Sequence, residues 1–116
     1  MCLGGTENQP RVSEVALIYA VFPTAEEADD ICAALLSERL IACANRHAAV
    51  ISHFRWAGEV QSDTEHPVIF KTTAEKASTA MARIAELHSY DVPAVIRLRD
   101  ATALPAFAQW VRAETC

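Results

Sequence analysis

Residues 41–72 read IACANRHAAVISHFRWAGEVQSDTEHPVIFKT and predict one very long β-hairpin. The first seventeen of these residues contain no proline, no glycine and no helical apolar period. The segment Trp56–Glu59 is the predicted turn, and the returning strand ends in the apolar run after Pro67. At about 3.3 Å per residue the first arm reaches roughly 50 Å, whereas a compact domain of this size is roughly 35 Å across. Because strand edges and apolar side chains beyond the body need partners, the hairpin predicts an oligomer.

Length and charge bound the class of protein. The 116 residues are enough for one domain, and we expect residues 1–13 to be a flexible tail and residues 14–116 to be that domain. A net charge of −5 disfavours a nucleic-acid partner, since such a partner needs clustered Lys and Arg. No apolar run approaches the length of a membrane span, and the N-terminus does not resemble a signal peptide. We therefore expect a cytoplasmic protein that binds neither nucleic acid nor membrane.

The segment before the hairpin predicts a buried strand and an amphipathic helix. Residues 15–22 are continuously apolar and rich in β-branched and aromatic side chains, which is typical of a central strand buried on both faces. Thr24 and Glu27 form a capping-box pattern that opens a helix, and Leu35 and Leu36 lie on its apolar face. The acids of its first turn, Glu27 among them, are expected to be solvated.

The segment after the hairpin predicts a helix, a strand and a closing helix. Thr72 and Glu75 form a second capping-box pattern, and residues 94–99 fit a short strand. Pro105 suits the first turn of the last helix, which is expected to bury Phe107, Trp110 and Val111. The fold class predicted by this order is α+β, a ferredoxin-like βαββαβ sandwich with a long β-hairpin and an extra C-terminal helix.

The motifs of common enzymes are missing from the sequence. There are only three glycines, none in a phosphate-binding pattern, and the serines lie in no nucleophile context. The four Cys and four His show no metal-ligand spacing. Cys43 lies in an apolar run, where it is either a small buried hydrophobe or a thiolate ligand. We expect no enzyme, although His88 supported by Tyr90 or Asp91 leaves a general base as an alternative to a helix-end histidine.

Five motifs in order resemble the CutA family of divalent-cation tolerance proteins. They cover about residues 14–113. The motifs are Arg39–Asn45, Ser52–Glu59, Phe70–Thr73, His88–Pro93 and Phe107–Trp110. The resemblance implies a ferredoxin-like fold and a homotrimer held by extended hairpins, with an architecture related to PII-like signalling trimers. It agrees with the oligomer expected from the hairpin.

The resemblance also implies copper, or another divalent cation, as a cofactor. The family's copper ligands correspond to Ala20, Leu87 and His88 here, so only His88 can bind a metal. The predicted metal ligands are His88 and Cys43.

A second hypothesis is a PII-like sensing or scaffold trimer without a metal function. Its ligand would be a small anion or a partner protein in a cleft between subunits, and the expected cleft residues are Asn45, Trp56, Lys71, Tyr90 and Asp91. The alternative for Lys71 is an edge lysine paired with Glu65 or Asp91. Phe54 and Trp56 are expected to be buried against a neighbouring subunit, with the cleft as the alternative.

Overall fold

The computed structural model describes residues 13–116, which form five strands and three helices. In chain order these are β1 (Glu14–Phe22), α1 (Ala25–Ser37), β2 (Cys43–Arg46), β3 (Val50–Trp56), β4 (Glu59–Thr72), α2 (Ala74–Leu87), β5 (Val95–Thr102) and α3 (Pro105–Glu114). Apart from Ser13, the predicted N-terminal tail lies outside the described residues. The ferredoxin-like order with an additional C-terminal helix is confirmed.

The strands form one antiparallel sheet in the order β2-β4-β1-β5. β3 pairs with the first half of β4, from Glu59 to Glu65. β1 lies between β4 and β5 and therefore has a neighbour on each side. Its continuous apolar sequence follows from burial on both faces, because Ile18 and Phe22 lie in the large buried cluster and Val15 lies in a smaller cluster on the other face. The prediction of a central first strand is confirmed.

The first arm of the hairpin is two strands, so the prediction of one unbroken strand is wrong. β2 pairs with β4 from Cys43↔Lys71 to Arg46↔Val68, and β3 resumes at Val50↔Glu65. Three residues, 47–49, therefore lie opposite two, 66–67. Pro67 explains the irregularity, because it has no N–H to donate to the ladder, although its carbonyl still accepts from the His47 N–H at 2.9 Å.

The hairpin as a whole is present and sets the shape of the molecule. The overall dimensions are 51 × 24 × 22 Å. At its tip Ala57 and Gly58 have φ of 52° and 82°, as a two-residue type I′ turn requires. The predicted turn is confirmed, and the hairpin projects from the body of the domain.

Helices α1 and α2 cover one face of the sheet and enclose the main core. The buried side chains there include Ile18, Phe22, Leu35, Phe70 and Ile84. The other face is only partly covered by α3, which buries Ala108 and Val111 against Val15 and Ala42. The sheet therefore has one fully covered face and one face with an open portion.

Three local expectations need correction. Thr73, not Thr72, caps α2 and accepts from the Lys76 N–H, because the Thr72 hydroxyl is buried and donates to the Leu40 carbonyl at 2.7 Å. Leu36 is exposed although Leu35 is buried, since the covered stripe of α1 is narrower than the apolar pattern suggested.

The third correction concerns the closing helix. Phe107 and Trp110 are 36% and 44% exposed, whereas Val111 is buried. The two aromatic rings stack on each other at the helix surface, with centroids 5.8 Å apart.

Candidate functional site

His88 directly follows α2 and is buried. Its Nε2 lies 2.7 Å from the Val21 carbonyl oxygen, and its Nδ1 accepts from the Tyr90 N–H at 3.1 Å. A carbonyl can only accept and an amide N–H can only donate, so these two contacts match the tautomer with its proton on Nε2. The ring also stacks on Phe22, with centroids 4.7 Å apart. Both ring nitrogens are therefore hydrogen-bonded to backbone groups.

Glu27 holds the same turn from the side of α1. Its Oε2 accepts from the Ser89 N–H at 2.9 Å and lies 3.5 Å from Nδ1 of His88. The sequence pattern predicted a solvated acid in the first helical turn, and the structure corrects that assignment. Glu27 and His88 together fix the segment after α2 against β1 and α1.

Tyr90 and Glu65 connect this segment to the hairpin. The Tyr90 hydroxyl donates to Oε2 of Glu65 at 2.9 Å, and Glu65 is only 9% exposed. Burial raises the pKa of Tyr90 to about 12, and the hydrogen bond to Glu65 and the charges of Glu65 and Asp63 act in the same direction. Sequence reasoning considered Glu65 only as a partner for Lys71, and it missed this contact.

A groove of about 720 Å³ lies between the hairpin and the segment after α2. Three of the predicted cleft residues, Trp56, Tyr90 and Asp91, line it. Asn45 and Lys71 do not line it: Asn45 pairs with Ile69, and the Lys71 ammonium lies 5.9 Å from the centre of the Phe107 ring. The remaining lining residues are Val21, Ser52, His53, Phe54, Gln61, Asp63, Glu65, Ser89, Val92 and Ala94.

The groove combines apolar walls with negative charge. Asp63, Glu65 and Asp91 contribute three carboxylates, and no Lys or Arg is among its lining residues within 13–116. In a partly dehydrated cleft this arrangement attracts cations and repels anions. The small anion expected from the sequence is therefore disfavoured in this groove.

Cys43 and His88 are well separated. Cys43 pairs with Lys71, which pairs in turn with Leu17, whereas His88 contacts Val21, four residues further along β1. This offset is about 13 Å along the strand, too long for a shared ion with bonds near 2 Å. In the part of the chain that the structure describes, no cluster of three or more His, Cys, Asp or Glu could hold a metal ion.

The pKa values of the thiols also argue against a metal site. Burial raises the pKa of Cys43, although the Lys71 charge lowers it in part, and burial raises the pKa of Cys32 to about 11. Metals are bound by the thiolate form, which these environments disfavour. Cys32 and Cys43 are free thiols, and Cys116 is disulfide-bonded. Residues 13–116 of one chain therefore do not fit a copper site.

Twelve large hydrophobic side chains are exposed among the described residues. Ile51, Phe54, Trp56 and Val60 lie on the hairpin; Ile96 and Leu98 lie on β5; Leu104, Phe107 and Trp110 lie at and on α3. Trp56 is 55% exposed. By register, Phe54 and Trp56 lie on one face of the hairpin and Ile51 and Val60 on the other. Exposed apolar surface of this extent marks a site of association.

The sheet, the three helices and the projecting hairpin define a ferredoxin-like α+β protein with an additional C-terminal helix. Residues 16–114 match the family described as CutA1 divalent ion tolerance protein. The divalent-cation tolerance protein CutA of Thermotoga maritima is 38% identical over 96 residues, which are 83% of this chain and 94% of that protein. The chain belongs to the CutA1 divalent ion tolerance family.

Solved structures agree with this assignment. The divalent ion tolerance protein CutA1 from Ehrlichia chaffeensis has a TM-score of 0.84 at 37% identity, covering 88% of this chain and 95% of that chain. CutA from Xylella fastidiosa has a TM-score of 0.85 at 30% identity, with coverages of 88% and 98%. The resemblance inferred from the five motifs is confirmed at the level of family and fold.

Proposed function

We propose that this protein acts as a homotrimer in divalent-cation tolerance, with a binding rather than a catalytic role. The need for partner subunits is supported by one observation: the hairpin, β5 and α3 all expose large apolar side chains. Isolated soluble chains rarely leave such a surface uncovered. The number three comes from the family resemblance. A neighbouring subunit would cover the open sheet face and receive the projecting hairpin.

The trimer is tested by sedimentation and native mass spectrometry on the full chain. Trp56→Glu places a charge in the exposed apolar surface of the hairpin and is expected to weaken assembly by at least about tenfold in dissociation constant. Ala33→Glu, on the exposed side of α1, is the matched control and should leave assembly unchanged. A monomeric wild-type protein at micromolar concentration, or a Trp56→Glu variant that associates as tightly as wild type, would contradict the proposal.

Copper, or another divalent metal, is the ligand that the family name suggests. Because His88 and Cys43 are far apart in one chain, a metal site that uses both would need them from different subunits. A copper(I) competition titration under reducing conditions tests this, with His88→Ala and Cys43→Ser compared separately. Tight binding by the trimer that is lost in both variants would revive a shared site, whereas absent binding would remove copper from the function.

A sensing or scaffold role at the groove is the second candidate function. The hydrogen bonds that fix one wall of the groove favour it. The Tyr90–Glu65 hydrogen bond and the His88 contacts hold one wall in place without a ligand, which is typical of a preorganised site.

We propose a cytoplasmic protein on the basis of the sequence, although relatives include proteins named as chloroplastic and periplasmic. No helix among the described residues is long and apolar enough to cross a membrane.

A further inference from the structure

We propose that Cys116 and Cys2 form a reversible disulfide that fastens α3 to the chain before β1, so that the attachment of α3 depends on redox conditions. Cys116 is disulfide-bonded and lies two residues after the end of α3. The sequence contains four cysteines, and Cys32 and Cys43 are free thiols. Cys2 is the remaining cysteine that can pair with Cys116 within one chain.

The path of the chain allows this pairing. The Ala103 N–H donates to the Ser13 carbonyl at 2.7 Å, so the chain enters β1 beside the residues that precede α3. The ten residues of α3 span about 15 Å, and Cys116 lies at the far end of this helix. The eleven residue steps from Cys2 to Ser13 can span roughly 36 Å. They are therefore long enough to pass alongside α3 and reach Cys116.

The apolar contact between α3 and the sheet is small among the described residues. The buried residues of α3 are Ala108 and Val111, and they pack against Val15 and Ala42. Leu104, at the N-cap, makes no side-chain hydrogen bond to the first turn. A ten-residue helix depends on tertiary packing, because it is marginal in isolation. A covalent bond just beyond its last turn would limit how far the helix can move from the sheet.

The disulfide of Cys116 is accessible to small thiols. Cys116 is exposed, and exposed disulfides are among the labile and regulatory ones. The thiolate of a small dithiol attacks one sulfur and breaks the S–S bond, and its second thiol then releases the mixed disulfide. The protein gains two thiols and the dithiol becomes a disulfide. The reverse exchange with a small oxidised disulfide closes the bond, so an oxidising change in a reducing compartment would fasten α3.

Peptide mapping of the full chain tests the pairing. The protein is oxidised with oxidised glutathione, digested without reductant and analysed by mass spectrometry. A linked pair of peptides that contain Cys2 and Cys116 is expected, and it should disappear after treatment with dithiothreitol. A disulfide between two chains, or Cys116 bound to glutathione alone, would refute the pairing.

Hydrogen–deuterium exchange tests the effect on α3. The amides of α3 are expected to exchange at least about threefold faster in the reduced protein than in the oxidised one, because opening of the helix is no longer restricted. The amides of α2 should change little, since that helix encloses the main core. Both states are measured at one protein concentration, and their oligomeric state is recorded by sedimentation.

Variants assign the effect to the two cysteines. Cys116→Ser and Cys2→Ser should each show the faster exchange of α3 under both conditions. Cys32→Ser, which retains both members of the proposed pair, is the matched control and should keep the difference between the oxidised and reduced states. Equal exchange of α3 in the two states, once the linked peptides are found, would refute the redox-dependent attachment.

This inference does not depend on the trimer or on a metal. A trimer without the linked peptides refutes the disulfide alone, whereas a monomer that forms the disulfide and shows the change in exchange refutes the trimer alone.

Discussion

Replacing His88 should destabilise the fold, because its ring joins three parts of the chain. The pairing of β1 with β5 ends at Ala20↔Val95, and the His88 Nε2–H supplies the partner for the next carbonyl, that of Val21. His88→Ala leaves this carbonyl and the Tyr90 N–H without their partners, at about 1 to 3 kcal/mol for a buried group. It also opens a cavity beside Phe22. We expect the free energy of unfolding to fall by about 3 to 5 kcal/mol in total.

A second substitution separates the two contributions. His88→Phe retains a ring against Phe22 but removes both hydrogen bonds, so its expected loss is smaller, about 2 to 4 kcal/mol. His53→Ala, at an exposed position on the hairpin, should change stability by less than about 0.5 kcal/mol.

The measurement is urea-induced unfolding followed by circular dichroism, at one fixed protein concentration because assembly contributes to stability. A His88→Ala protein within about 1 kcal/mol of wild type would refute the proposed role of these contacts. A His88→Phe protein with a lower free energy of unfolding than His88→Ala would contradict the same reasoning.

Three further predictions concern the turn, the thiols and the groove. Gly58→Ala should lower the free energy of unfolding by about 1 kcal/mol, because its φ of 82° is left-handed although a Cβ there meets no atom within 4 Å; urea unfolding with no change in midpoint would contradict this. Cys32, with its pKa raised to about 11, should react far more slowly with iodoacetamide at neutral pH than it does in denaturant, and equal rates would show that the thiol is not shielded. Since the pKa of Tyr90 is raised from 10.0 to about 12, its stabilising effect should be present below pH 10 and be lost as the pH rises through about 12; an absorbance titration of wild type against Tyr90→Phe checks this, and a difference curve centred near pH 10 would be inconsistent with it.

Much of the fold followed from local pattern. The apolar run of β1, the capping residue Thr24 and the turn at Ala57 and Gly58 all appear where the sequence indicates them. Each depends on neighbouring residues: strand composition, a side chain that accepts from an N–H three residues later, and a backbone that must adopt positive φ.

The incorrect sequence-based predictions concern residues whose surroundings are set by distant segments of the chain. The break between β2 and β3 arises because Pro67 lies opposite that part of the first arm, a relation that only the register reveals. Leu36, Phe107 and Trp110 follow helical apolar patterns, yet they remain exposed in the single chain. A periodic pattern identifies an apolar face without stating whether its own domain or another subunit covers that face.

The candidate site was only partly predictable. Trp56, Tyr90 and Asp91 were grouped on the basis of resemblance, and they line one groove. Glu65 and Glu27 were missed as site residues because their contacts with Tyr90 and Ser89 span 25 and 62 positions of the chain. Nothing in the local sequence distinguishes these two acids from solvated ones.

The sequence by itself determined most of the helices and strands and their order, since propensity, capping and turn geometry act over a few residues. Only the tertiary structure decided that the two nitrogens of His88 bind the backbone and that Glu65 is buried with the Tyr90 hydroxyl as its partner. It also brought the three carboxylates of the groove to one apolar cleft. Burial and charge pairing depend on which distant segments are brought together, and that is fixed by the packing of the whole domain.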